Sequence, residues 1–86
     1  MKPYRLSFVT YGQNPTYPNH IWTLDKGHGV EVRSEPHMDF NNMLCHAVNV
    51  HKTDIRDPEK IVVEADEETK RVLFVILNNL YPEAPQ

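Results

Sequence analysis

The 86-residue chain contains one cysteine, three glycines and no apolar run longer than six residues. Its single cysteine, Cys45, excludes a disulfide within the chain and predicts a reducing, cytoplasmic environment. A membrane-spanning helix needs about 18 or more apolar residues, so the longest run here is too short. Residues 1–5 lead into an alternating segment and lack the apolar core of a signal peptide. We therefore expect a cytoplasmic protein that does not bind membranes through a spanning segment.

The chain also lacks an excess of basic residues, because its net charge is −3. Its charge is uneven: residues 1–53 have a net charge of +1 and residues 54–86 a net charge of −4. A chain of this length has room for one domain, which we place at residues 1–86, with a frayed tail from about residue 82. Hydrophobic residues make up 40% of the chain, enough for a globular core.

Three segments have the patterns of strands. Residues 4–11 begin with alternating apolar and polar positions, which is typical of a half-buried strand. Residues 20–25 and 30–33 flank a connection with two glycines, and this predicts a hairpin in which Gly27 and Gly29 adopt positive φ. Residues 12–19 contain two prolines and predict a loop between the first two strands. A fourth, β-branched run at residues 60–64 is a further strand candidate.

Residues 39–51 are the clearest helix, because their apolar positions recur at helical spacing and Asp39 is a suitable N-cap. Residues 70–77 are ambiguous. A buried strand would make residues 61–77 a hairpin, but no glycine or asparagine is present for a tight turn. Acidic residues precede basic ones here, as the helix dipole favours, so we predict a helix that Pro82 ends. The resulting order βββαβα predicts an α+β two-layer sandwich, in which two helices pack on a mainly antiparallel sheet of three or four strands.

No arrangement of residues indicates catalysis or a metal. His46 and His51 are five positions apart and diverge on a helix, so we expect scattered histidines, no metal site and no cofactor. Cys45 and His46 point in different directions and do not form a nucleophile–base pair. A hydrolase or nuclease using His20, His28 and Asp54 has no support from spacing or motif. We therefore expect a protein that is not an enzyme.

The acidic stretch from Asp54 to Glu68 is the most suggestive functional feature. A fixed acidic surface can occupy a basic groove on a larger protein. We predict a small regulator or inhibitor of this kind, a class that includes the inhibitors that mobile genetic elements direct against host machinery. The residues expected to dock are Asp57, Glu64, Asp66, Glu67 and Glu68.

Two alternatives remain open. Aromatic and basic residues on the sheet could bind single-stranded nucleic acid by stacking and charge. The residues expected for that role are Tyr4, Arg5, Tyr11, Trp22 and Arg33. The wide apolar arc of the last helix could instead form a homodimer interface through Phe74, Leu77 and Tyr81.

Overall fold

The computed structural model describes residues 2–12 and 18–83. Within them the chain forms strands and α-helices in the predicted order βββαβα. The strands are β1 (Tyr4–Tyr11), β2 (Asn19–Gly27), β3 (Val30–Arg33) and β4 (Ile61–Glu64), and the helices are α1 (Phe40–His51) and α2 (Glu67–Leu80). A 3-10 helix at Lys52–Arg56 directly follows α1. Residues 13–17 of the predicted loop and residues 84–86 of the predicted tail lie outside the described residues.

The four strands form one mixed sheet in the order β3-β2-β1-β4. β2 runs antiparallel to both β1 and β3, whereas β1 and β4 run parallel. A parallel pair requires a crossover connection, and α1 with the following 3-10 helix carries the chain from the β3 edge to the β4 edge. Both helices share one core with one face of the sheet. The predicted α+β sandwich with a mainly antiparallel sheet is confirmed.

The connection between β2 and β3 has the conformation that its two glycines predict. Gly27 and Gly29 adopt φ of +86° and +76°, and His28 between them adopts +55°. The Asp25 carboxylate accepts a hydrogen bond from the Gly27 amide at 2.8 Å. Because positive φ is unstrained for glycine, these residues allow the tight reversal.

Both helices begin at aspartate N-caps. The Asp39 carboxylate accepts from the Asn42 amide at 3.2 Å, and the Asp66 carboxylate accepts from the Thr69 amide at 2.7 Å. Residues 70–77 are helical, so the predicted choice of helix over strand is confirmed. The helix extends to Leu80, and its C-cap residue, Tyr81, directly precedes Pro82. Within the described residues, neither α-helix is long and apolar enough to cross a bilayer.

The core lies between the helices and one face of the sheet. The sheet contributes Leu6, Trp22, Leu24 and Ile61. Most of the predicted apolar stripe of α1 is buried, and α2 contributes two fully buried leucines, Leu73 and Leu77. Phe74 and Tyr81 are partly buried against this core, while Val75 and Leu80 are about half exposed. Most of the wide apolar arc of α2 therefore packs inside the domain.

Candidate ligand-binding cleft

Strand register brings three lysines from distant parts of the sequence to one end of the sheet. Arg5 pairs with Asp25, which places Tyr4 beside Lys26, and the Lys26 Nζ atom lies 5.7 Å from the centroid of the Tyr4 ring. The Tyr4 amide donates to the Lys60 carbonyl at 2.8 Å, as β4 begins alongside β1. Lys2 precedes Tyr4 by two residues. The lysines thus meet where β1 and β4 begin and β2 ends.

These lysines border an open cleft of about 510 Å³ between the sheet and the carboxyl end of α1. All four β3 residues are exposed, so helix α1 does not cover β3. Apolar side chains form much of the cleft, and they are Tyr4, Trp22, Leu24, Val32, Val50 and Ile61. The remaining lining residues are polar or charged, and they are Lys2, Lys26, His51, Asp54, Glu59 and Lys60. The site therefore combines an apolar surface with titratable groups.

Trp22 forms the base of the cleft and is held by two histidines of α1. Its side chain is only 3% exposed. Its indole Nε1 donates a hydrogen bond to His46 Nδ1 at 2.9 Å. The His51 ring meets the indole edge to face, with ring centroids 4.5 Å apart. These contacts limit rotation of the indole and give the cleft a rigid aromatic base.

The His51 side chain favours its neutral form. Burial lowers the pKa of His51 from the ordinary value of 6.5, and this is the largest effect. Asp54 opposes it by favouring the cation, while the charges of His46 and Lys26 lower the pKa further. The Nε2 atom of His51 is buried, and it has no hydrogen-bond partner within the described part of the chain.

The three lysines differ in whether a carboxylate already pairs with their ammonium group. Lys60 Nζ lies 3.3 Å from a carboxylate oxygen of Asp54. Across residues 2–12 and 18–83, neither Lys2 nor Lys26 takes part in a salt bridge. These two ammonium groups are therefore the most available positive charges of the cleft.

The histidines are less scattered than the sequence suggested. His20 and His37 are joined by backbone hydrogen bonds, and the His37 and His46 rings lie 5.0 Å apart. The Trp22 ring contacts both His46 and His51, with centroids 5.9 Å and 4.5 Å apart, so contacts link four of the five histidines where β2 packs on α1. The expectation of scattered histidines was wrong, because β2 and α1 pack together. The described residues contain no group of three or more histidine, cysteine or acidic side chains placed to hold a metal ion.

The acidic residues expected to dock onto a partner divide into two groups. Asp57 precedes β4, whereas the other four lie at or after its far end. Asp57 accepts from the Glu59 amide at 2.9 Å, and Asp66 caps α2. Glu64 pairs with Arg5 at 3.4 Å. Glu67 pairs with Lys70 at 3.2 Å, and Glu68 pairs with Arg71 at 2.5 Å. Basic residues are therefore interleaved with this acidic surface.

The five residues expected to bind nucleic acid do not share one face of the sheet. Trp22 is buried beneath the helices, and Tyr4 lies on the same side of the sheet. Arg5, Tyr11 and Arg33 lie on the opposite, open side, because side chains alternate along a strand. Placing Trp22 on an exposed stacking platform was therefore incorrect. An alternating pattern identifies two faces but does not say which one the helices cover.

Two further groupings from the sequence are also not brought together. Leu77, expected at a dimer interface with Phe74 and Tyr81, is fully buried in the core. His20 bonds Thr10 near the start of β2, whereas His28 lies in the turn after β2. These two histidines and Asp54 therefore form no shared site.

No family model, curated protein or solved structure matches this chain. The cleft must therefore be assessed from its own geometry. Its lysines stand at positions 2, 26 and 60, and no local motif connects them. A cysteine, glycine or histidine motif would have been visible in the sequence, but this site depends on strand register.

Proposed function

We propose that this protein is a small, non-enzymatic binding domain whose cleft takes an organic acid with one negative charge and an apolar body. The observation that carries the proposal is the convergence of Lys2, Lys26 and Lys60 around an apolar surface. A volume of about 510 Å³ lies within the usual range for small-molecule sites. The size of the cleft thus favours a small molecule over a polypeptide chain.

The charges around the cleft favour a ligand with a single negative charge. Three lysines face two carboxylates, Asp54 and Glu59, among the lining residues. Asp54 already pairs with Lys60, so a polyphosphate would meet both repulsion and too few free cations. A carboxylate needs only one or two ammonium groups, which Lys2 and Lys26 supply. An aliphatic or aromatic body would then cover the apolar lining.

Titration with octanoate, followed by amide and indole NMR, tests the proposal. We expect the largest shifts at the Trp22 indole N–H and at residues that line the cleft, including Val32 and Ile61. Octanamide has the same length without the charge, and we expect it to bind about fivefold more weakly, because a partly exposed ion pair contributes about 1 kcal/mol.

A matched pair of variants separates the cleft lysines from general charge effects. Lys2→Gln/Lys26→Gln should reduce octanoate affinity by about tenfold. Lys52→Gln/Lys70→Gln removes the same charge away from the cleft and should leave affinity unchanged. Equal affinity for octanoate and octanamide, or equal loss in both variants, would reject an anion-binding cleft.

Docking of the acidic surface onto a larger protein is a second candidate. The Glu67 and Glu68 side chains are 93% and 71% exposed at the start of α2. Exposed ion pairs of this kind contribute about 0–1 kcal/mol, so both carboxylates could exchange their lysine and arginine neighbours for those of a partner. This exposure supports a basic groove as the complementary surface.

Charge reversal tests the docking proposal. Affinity capture from a nuclease-treated extract should recover a partner with wild-type protein and lose it with Glu67→Lys/Glu68→Lys. Glu35→Lys/Glu83→Lys makes the same charge change elsewhere and should retain the partner. If both variants retain it, or both lose it, the start of α2 is not the docking surface. Recovery that depends on intact nucleic acid would favour nucleic-acid binding instead.

A further inference from the structure

Strand β3 lies at the edge of the sheet with its outer side open. It is last in the order β3-β2-β1-β4, and within the described residues only β2 pairs with it. All four of its residues are exposed, including Val30 at 51% and Val32 at 37%. An open edge of this kind can accept another strand through its backbone.

The hydrogen-bond pattern shows which backbone groups face outward. The Ser34 amide donates to the Trp22 carbonyl at 3.0 Å, and the Trp22 amide donates to the Ser34 hydroxyl at 3.0 Å, so these two residues occupy the position of a hydrogen-bonded pair. Such pairs alternate along an antiparallel ladder, which makes Leu24 and Val32 the next one. The amide and carbonyl groups of Glu31 and Arg33 therefore point away from β2, toward the open edge.

We propose that β3 pairs antiparallel with β3 of a second copy of this chain, centred on Val32. This register places Glu31 opposite Arg33 of the second copy, and Arg33 opposite its Glu31. Both residues of each pair have outward backbone groups, as a hydrogen-bonded pair requires. The interface does not depend on the ligand proposed for the cleft, although Val32 lines that cleft.

Charge selects this register over its neighbour. Pairing centred on Glu31 is equally allowed by the backbone but places two Glu31 carboxylates opposite each other. Like charges directly opposite are destabilising, whereas opposite charges stabilise a strand pair. Within one chain Arg33 Nε already lies 2.5 Å from Glu31 Oε1, which shows that both side chains extend along the same face. Pairing centred on Val32 gives four alternating charges on that face and brings two Val32 side chains together on the other.

Sedimentation equilibrium with charge-reversal variants tests the proposed dimer. A pair of four-residue strands buries less than a standard interface of about 1,200 Å² or more, so we expect a weak dimer seen at up to about 1 mM protein. Glu31→Arg and Arg33→Glu each replace two attractive pairs with two repulsive ones, and each should weaken association by about tenfold or more. An equimolar mixture of the two variants should restore association, because every facing pair is again opposite in charge.

The double variant Glu31→Arg/Arg33→Glu is the matched control, since it keeps the composition and should dimerise like wild type. Because both positions are exposed, circular dichroism should show the same fold in all variants. Monomeric wild-type protein over the whole range would overturn the proposal. Association that both single variants retain, or that their mixture fails to restore, would place the interface on another surface.

Discussion

Trp22 and His51 connect the core to the cleft through a single ring contact. The indole is almost fully buried, and its only N–H is satisfied by His46. The His51 ring packs edge to face against the indole and also lines the cleft. A change in the charge of His51 should therefore affect both the packing of the core and the electrostatics of the cleft.

Protonation of His51 should lower stability in mildly acidic solution. Because burial lowers the pKa of His51 in the folded protein, the unfolded state binds more protons below about pH 6.5. The contribution of neutral His51 is complete above that pH and is lost as the pH falls through the lower, folded-state pKa. Asp54 reduces this effect, while His46 and Lys26 increase it. Urea unfolding measured from pH 7.5 to pH 5 should show a falling free energy of unfolding.

The variant His51→Asn should have a smaller pH dependence of unfolding over the same range. His28→Asn is the matched control, because His28 is exposed in the β2–β3 turn. It should keep the wild-type dependence. An unchanged slope in His51→Asn would assign the acid sensitivity to other groups.

At the scale of elements, α2 shows how a continuous apolar run divides into core and surface. Leu73 and Leu77 are one turn apart and fully buried, whereas Val75 lies between them and is 50% exposed. Side chains four residues apart share a helix face, and a side chain two residues away does not. Exposure therefore varies sharply along six residues of similar hydrophobicity.

The loss of stability on shortening an α2 side chain to alanine should depend on whether that side chain is buried or exposed. Leu77→Ala should lower the free energy of unfolding by about 2–5 kcal/mol, because it removes buried methyl groups and leaves a cavity. Val75→Ala should change it by no more than about 0.5 kcal/mol, since alanine is the better helix former and little buried surface is lost. Urea denaturation of both variants gives the comparison. Similar losses would show that Val75 is also covered, as by a second molecule.

Features that depend on neighbours within a few residues were predictable. The cap at Asp39, the glycines at 27 and 29, and the α1 stripe all follow from local hydrogen bonding and periodicity. The helix at residues 70–77 was harder to predict, because apolar runs suit buried strands equally well. Acidic residues before it and basic residues after its first turn favoured the helix.

At the scale of the whole molecule, the charged residues that are neighbours in the fold are not those that are neighbours in the sequence. The acidic stretch that is continuous in sequence is divided between the two ends of β4 and interleaved with Arg5, Lys70 and Arg71. The lysines, which are far apart in sequence, converge at one end of the sheet. Counting charges along the sequence therefore overestimated the acidic character of one surface and did not reveal the cluster of lysines.

The order of residues was enough to establish the type and order of the strands and α-helices and the α+β class, because those depend mainly on contacts within a turn or a hairpin. It left open the parallel pairing of β1 with β4, the face of the sheet that the helices cover, and the open edge of β3. These features depend on which distant segments pack together. The meeting of Lys2, Lys26 and Lys60 around Trp22 follows from that packing, since register, and not sequence distance, places them in one cleft.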